Sequence, residues 1–168
     1  MVFLIHGKDS SPEKSNTVQT LNKFLTEKGF NCVCLGYDTS LPSGILAKQF
    51  YHSVVNCLIN SSDKQTVFIG CSLGGFWSRY LANKFPGSEL IMINPSLRFY
   101  DDVVTEDRND TGITVFLSKD DDVVNYEHAY DLYKERGDVR LFEDGGHRFS
   151  HLESQLEEIE KIINRITL

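Results

Sequence analysis

The sequence predicts an α/β fold in three layers: a doubly wound, mostly parallel sheet of six strands with helices on both faces. Six short runs of apolar and β-branched residues alternate with segments long enough to form helices. This alternation is typical of parallel sheets, because each connection crosses back along one face of the sheet as a helix. No repeat, low-complexity segment or Pro/Gly-rich linker interrupts the 168 residues, so we expect one domain over residues 1–168.

The six strands are predicted at residues 2–5, 31–35, 66–70, 89–93, 113–117 and 138–142. If the first strand lies beside the third and the second lies outside it, the winding of the sheet reverses between them. Such a reversal opens a crevice at the carboxyl ends of the strands, where open parallel sheets bind ligands. Residues that directly follow strands are therefore the first candidates for function.

The first helix is predicted to begin at Ser11-Pro12, a serine cap followed by proline, and to end at Gly29. Further helices are expected over residues 44–60, from Ser72 towards Phe85-Pro86, and over about 126–136. The last helix has the clearest pattern, because apolar residues recur on one face and charged residues lie elsewhere. That apolar face comprises Leu152, Leu156, Ile159, Ile163 and Ile166.

Charge and cysteine usage exclude several classes of function. There are 17 basic and 24 acidic residues, a net charge of −7, which argues against nucleic acid or an anionic membrane as a partner. The start, Val2-Phe3-Leu4-Ile5, has neither the basic flank nor the apolar length of a signal peptide, so we expect a cytoplasmic protein. The four cysteines form no Cys-x-x-Cys pair, so we expect reduced thiols and no metal site.

Ser72 is the strongest candidate for a catalytic residue. It lies in Gly70-Cys71-Ser72-Leu73-Gly74, directly after the third predicted strand and directly before a predicted helix. A serine hydroxyl needs a base to become a nucleophile, and a sharp strand-to-helix turn presents it to one. The motif and its context therefore predict a nucleophile elbow.

The base and the orienting acid should follow the serine in the order acid, then histidine. Asp120, Asp121 and Asp122 follow the fifth strand, and one of them is expected to be the acid. His147 follows the sixth strand after two glycines, and we prefer it to His151, which begins the last helix.

The other three histidines are given structural roles. His52 and His128 fall on predicted helices, where packing or surface roles are typical. His6, in Ile5-His6-Gly7-Lys8, directly follows the first strand. Enzymes with a nucleophile elbow build their second oxyanion donor at this place. We therefore expect its ring to be structural rather than catalytic.

These motifs together resemble the α/β-hydrolase superfamily, and within it the small YqiA-like esterases. The likeness runs from His6-Gly7 and Lys8-Asp9-Ser10-Ser11-Pro12 through the elbow to Asn94-Pro95, the segment 121–126 and Gly145-Gly146-His147. The resemblance implies a minimal α/β-hydrolase fold and a serine esterase without a cofactor or metal. It also implies that Asp121 is the acid, with Asp122 as the alternative, and that the backbone N–H groups of Lys8 and Leu73 bind the oxyanion.

The expected reaction is hydrolysis of a small carboxylic ester through an acyl-enzyme, with short acyl chains favoured. Residues 95–110 and the loops after His6 and Tyr37 are expected to line the pocket, with Leu97, Phe99 and Tyr100 as a candidate apolar wall or as ordinary packing. A thioesterase or amidase with the same residues, or a non-catalytic ligand-binding protein of this fold, is the alternative. The sequence does not specify the natural ester or the oligomeric state.

Overall fold

The computed structural model describes residues 1–100, 102–103 and 112–165. All six predicted strands are present, and each pairs with its neighbours in parallel. Their order across the sheet is β2-β1-β3-β4-β5-β6. Their bounds are β1 Val2–Ile5, β2 Cys32–Leu35, β3 Val67–Cys71, β4 Glu89–Ile93, β5 Gly112–Ser118 and β6 Asp138–Phe142.

Five helices are described: α1 Asn16–Glu27, α2 Ser43–Ile59, α3 Leu73–Lys84, α4 Glu127–Tyr133 and α5 Leu152–Asn164. The predicted start of the first helix at Ser11-Pro12 is wrong. The Ser11 carbonyl instead accepts from the N–H groups of Lys14 and Ser15 and closes a turn. The Ser15 hydroxyl then accepts from Val18 N–H at 3.3 Å, so Ser15 is the N-cap.

Two buried clusters lie on the two faces of the sheet, as the period of two along each strand requires. On one face Phe3, Phe68, Met92 and Val115 pack with α2, α3 and α4. On the other face Leu4, Ile69, Ile91 and Phe116 pack with α1 and α5. This arrangement confirms the three-layer α/β fold with a doubly wound sheet.

The apolar face of α5 docks on the sheet as its pattern predicts. Leu152, Ile159 and Ile163 are buried, and Leu156 is partly buried against the same cluster. Ile162 is buried as well, whereas Ile166 lies outside the described residues. No helix in the described part of the chain has both the length and the apolar character needed to cross a bilayer.

The strand order confirms the predicted reversal of winding. β1 pairs with both β2 and β3, and Ile5 lies opposite Leu35 on one side and Gly70 on the other. The chain therefore winds outward to β2 and crosses back over β1 to β3. The resulting switch point places the segment after β1 beside the segment after β3, at the carboxyl edge of the sheet.

Candidate active site

Ser72 occupies the one-residue turn between β3 and α3 and has φ +52° and ψ −122°. A non-glycine residue in this region is strained by about 1–3 kcal/mol, so the surrounding structure must hold it. Its N–H donates to the Ile93 carbonyl at 3.0 Å. Its own carbonyl accepts from the N–H groups of Gly75 and Ser96, each at 2.9 Å. These bonds fix the turn and leave the hydroxyl at the carboxyl edge of the sheet.

His147 lies on the loop after β6 and reaches the serine. Its Nε2 is 3.0 Å from Ser72 Oγ, and its Nδ1 is 2.8 Å from Asp121 Oδ2. The two preceding residues, Gly145 and Gly146, have φ of +131° and +61°, values that favour glycine and let the loop turn back over the elbow. A continuous line of hydrogen bonds therefore joins a carboxylate, an imidazole and a hydroxyl.

The carboxylate of Asp121 is fixed by the chain that follows it. Its Oδ1 accepts from the N–H groups of Val123 at 2.9 Å and Val124 at 2.8 Å, and the side chain is 1% exposed. Asp122 is exposed, whereas Asp120 accepts from Gly146 N–H at 2.8 Å. The structure thus brings Asp121, rather than Asp122, to His147.

The segment after β1 lies against the serine. A Cβ added to Gly7 would be 3.2 Å from Ser72 Cβ and 3.7 Å from Ser72 Oγ. Leu73 directly follows the serine as the first residue of α3, and Lys8 directly follows Gly7. The two residues whose N–H groups are predicted oxyanion donors therefore both belong to segments adjoining Ser72.

His6 supports this segment from inside the protein. Its ring is buried, stacks on Tyr37 at 4.4 Å between centroids, and places Nδ1 2.8 Å from the Gly7 carbonyl. A carbonyl only accepts, so Nδ1 carries the proton. Burial lowers the pKa of His6, which keeps the ring neutral. Tyr37 donates to the His6 carbonyl at 2.8 Å, and burial raises the pKa of its hydroxyl.

The remaining histidines lie apart from the serine. His151 places Nε2 2.7 Å from Asp144 Oδ1 and stacks on Phe142 at 4.9 Å. His52 lies on α2 and His128 on α4, both exposed. Of the five histidines, the structure thus brings only His147 within hydrogen-bond distance of Ser72.

Two of the three residues predicted as an apolar wall pack against the core. Leu97 and Tyr100 are partly buried, and the Tyr100 ring contacts Phe76 at 5.5 Å and Trp77 at 5.3 Å. Phe99 is 39% exposed, with the ammonium of Lys8 5.3 Å from its centroid. Of the predicted lining, residues 101 and 104–110 lie outside the described residues.

Cysteines and acidic groups form no further centre in the described residues. Cys32, Cys34, Cys57 and Cys71 are free thiols, each partly buried. No group of three or more histidine, cysteine, aspartate or glutamate side chains in the described ranges could hold a metal ion.

Sequence reasoning singled out Asn94 and Asp120 but missed that they hold this arrangement in place, and it gave Tyr37 no role. Asn94 has φ +43°, a left-handed conformation that asparagine tolerates better than most residues, and it lies directly after β4 and before Pro95. An asparagine at the carboxyl end of a central strand was therefore a usable signal. Tyr37 and Asp120 act through contacts distant in sequence, which no local pattern displays.

The comparisons with known proteins agree with this fold. A UPF0227 protein from Shewanella woodyi is 25% identical over 183 residues, covering 95% of this chain and 97% of that protein. A protein of the alpha/beta hydrolase superfamily from Xanthomonas campestris pv. campestris superposes with a TM-score of 0.80 at 16% identity, covering 98% of each chain. Est1E from Butyrivibrio proteoclasticus superposes with a TM-score of 0.80 at 14% identity, covering 99% of this chain and 88% of its own.

These structures confirm the α/β-hydrolase fold, and the relative from Shewanella woodyi has the same family description as this chain. Residues 1–106 match the model of an uncharacterised protein family, UPF0227, which confirms the resemblance to the YqiA-like proteins. The chain therefore belongs to the UPF0227 family.

Proposed function

We propose that the protein is a serine hydrolase that cleaves carboxylic esters. Ser72 is the nucleophile, His147 the general base and Asp121 the acid that orients the base. The observation that carries this proposal is the unbroken line of hydrogen bonds from Asp121 to His147 at 2.8 Å and from His147 to Ser72 at 3.0 Å. That order of groups is what nucleophilic activation of a serine requires.

In the first half of the reaction, Ser72 Oγ attacks the ester carbonyl carbon and its proton passes to His147 Nε2. The carbonyl electron pair moves to oxygen, and the N–H groups of Lys8 and Leu73 stabilise the resulting oxyanion. Asp121, bound to Nδ1–H, holds the imidazole tautomer and stabilises the imidazolium. The carbonyl then re-forms, the bond to the alcohol breaks, and His147 donates its proton to the leaving oxygen.

In the second half, water attacks the acyl-enzyme. His147 takes a proton from the water as its oxygen bonds to the acyl carbon. The second oxyanion collapses, Ser72 leaves with the proton of His147, and the carboxylic acid is released. The cycle uses only protein groups and water, so the proposal includes no cofactor. The proposed partner is a small-molecule ester in the cytoplasm.

We propose a small ester as substrate, with short acyl chains favoured. Leu97 and Tyr100, two of the residues expected to line the site, pack against the core. One structural neighbour, Est1E, binds ferulic acid. A carboxylic acid is the kind of product that ester hydrolysis would release.

The test compares the wild type with Ser72→Ala on p-nitrophenyl acetate and p-nitrophenyl butyrate. Ser53→Ala is the matched control, because Ser53 is exposed on α2. Ser72→Ala should abolish turnover while Ser53→Ala retains it. Thioester and amide substrates in the same panel decide the leaving group. Unchanged turnover in Ser72→Ala would overturn the proposal.

A further inference from the structure

The turn that ends β4 lies between the proposed nucleophile and the proposed base. It comprises Ile93, Asn94, Pro95 and Ser96, none of which takes part in the reaction steps proposed above. The Asn94 backbone continues the sheet ladder, because its N–H donates to the Phe116 carbonyl at 2.9 Å. The turn is thus anchored to β5 at Phe116, which is fully buried.

On one side, this turn holds the nucleophile. The Ile93 carbonyl accepts from Ser72 N–H at 3.0 Å, and Ser96 N–H donates to the Ser72 carbonyl at 2.9 Å. Pro95 packs so closely on α3 that a Cβ added to Gly75 would lie 2.5 Å from Pro95 Cβ. Both polar backbone groups of Ser72 are therefore bonded to residues of the turn.

On the other side, the Asn94 side chain holds the loop that carries His147. Its Nδ2 donates to the Gly146 carbonyl at 2.9 Å and lies 3.3 Å from the His147 carbonyl. Its Oδ1 accepts from Ser118 N–H at 2.8 Å. These partners fix the amide orientation, since an N–H must meet oxygen and the carbonyls must meet NH₂. The residue is 2% exposed, so its bonds are made away from bulk water.

The loop needs such an anchor, because Gly145 and Gly146 give its backbone unusual conformational freedom. Asp120 accepts from Gly146 N–H and restrains one side of this peptide chain. Asn94 restrains the other side through the two carbonyls. The loop also closes on itself, because Phe149 N–H donates to the Gly146 carbonyl at 3.1 Å. Asn94 adds a bond from the sheet to the backbone on either side of His147 N–H, and so ties the loop to the strand that also holds Ser72.

We propose that Asn94 is a positioning residue that sets the distance between Ser72 and His147. The inference rests on the proposed function and deepens it. A displacement of about 1 Å between reacting groups can cost on the order of 100-fold in rate. Loss of the Asn94 amide should therefore lower turnover about 10- to 100-fold while leaving substrate affinity nearly unchanged.

Two variants distinguish the role of the Asn94 side-chain amide from that of its backbone conformation. Asn94→Gly removes the side chain but keeps a residue that adopts φ +43° without strain. Asn94→Asp keeps an oxygen for Ser118 N–H and places a second oxygen against the two carbonyls. Ile159→Val, in the buried face of α5, is the control that lowers stability by about 0.5–1.5 kcal/mol without touching the site.

Each protein is treated with a fluorophosphonate probe well below its melting midpoint, and the rate of Ser72 modification is measured together with kcat and KM on p-nitrophenyl butyrate. Both Asn94 variants should be modified about 10- to 100-fold more slowly and lose kcat by a similar factor. Their KM should stay within about twofold, as expected for lost transition-state alignment. Ile159→Val should match the wild type in all three quantities.

Wild-type modification rates in both folded Asn94 variants would overturn the inference and leave the proposed function standing. A rate loss of the same size in Ile159→Val would also overturn it, because the effect would then follow stability. If the wild type itself is not modified at Ser72, the proposed function fails and this inference fails with it.

Discussion

Gly74→Ala tests how closely the nucleophile elbow must pack against the first strand. Gly74 is the second residue of α3, two positions after Ser72. An added methyl group would overlap the Ile5 carbonyl oxygen and lie 2.6 Å from the His6 carbonyl oxygen. Ordinary contact begins at 3.4 Å, so α3 must move away by about 1.3 Å from the Ile5 carbonyl oxygen, at the end of β1, and by about 0.8 Å from the His6 carbonyl oxygen.

Two opposing effects set the expected change in stability. Alanine is favoured over glycine within a helix by about 1 kcal/mol. Overpacking a tight contact costs about 1–3 kcal/mol, and here both partners are backbone that cannot change rotamer. We therefore expect a net loss of about 1–2 kcal/mol in the free energy of unfolding.

The effect on turnover should be larger than the effect on stability. The displaced segment carries the N–H of Lys8, one of the two proposed oxyanion donors. Losing one such donor costs on the order of 100-fold in kcat. Gly74→Ala should therefore lower kcat for p-nitrophenyl butyrate about 100-fold while the protein remains folded.

Gly44→Ala is the matched control, since Gly44 is also the second residue of its helix, and an added Cβ there meets nothing within 4 Å. It should be neutral or stabilising by up to about 1 kcal/mol, with unchanged turnover. Urea unfolding and initial rates measure both quantities. If Gly74→Ala is as stable and as active as Gly44→Ala, the reasoning is refuted.

Three further predictions concern the groups around the serine. Asp121→Asn should lower kcat by about 10⁴-fold, whereas Asp122→Asn should stay near wild type; equal losses in initial-rate assays would contradict the assignment of the acid. Tyr37→Phe removes the hydroxyl that donates to the His6 carbonyl and should lower the free energy of unfolding by about 1–2 kcal/mol. Urea denaturation measures this loss, and an unchanged midpoint would disprove it. Burial lowers the pKa of His6 in the folded protein below its ordinary value of 6.5, so as pH falls the unfolded chain takes up the proton first. The free energy of unfolding is therefore full above pH 6.5 and decreases as pH falls from 6.5 towards the lowered pKa. The urea midpoint of the wild type should therefore fall more steeply below pH 6.5 than that of His6→Phe, and parallel curves would contradict this.

The inner strands of the fold were predictable because burial on both faces makes β1, β3, β4 and β5 nearly continuous apolar runs, whereas the edge strands β2 and β6 are only partly buried. β4, Glu89–Ile93, and β6, Asp138–Phe142, match their predicted bounds, and α5 follows its apolar stripe. The start of α1 was not predictable in the same way. Ser11-Pro12 and Ser15 both offer helix-start signals, and only the turn closed by the Ser11 carbonyl decides between them.

The candidate site was predictable where a local motif carries the chemistry. Ser72 stands in a strand-turn-helix context, and His147 follows two glycines whose positive φ values the structure shows. The choice of Asp121 within the aspartate triplet depended on the family resemblance. The supports of the site are long-range: Tyr37 meets His6 across 31 positions and Asn94 meets Gly146 across 52. Such contacts appear only when the strands are ordered in space.

The central claim is that Ser72 is the nucleophile, and mapping a covalent label tests it most directly. The wild type is treated with an excess of a fluorophosphonate probe, and the modified peptide is identified by mass spectrometry. We predict one probe per chain, attached to Ser72, and no attachment in Ser72→Ala. Attachment at another residue, or an unmodified wild-type protein, would contradict the account.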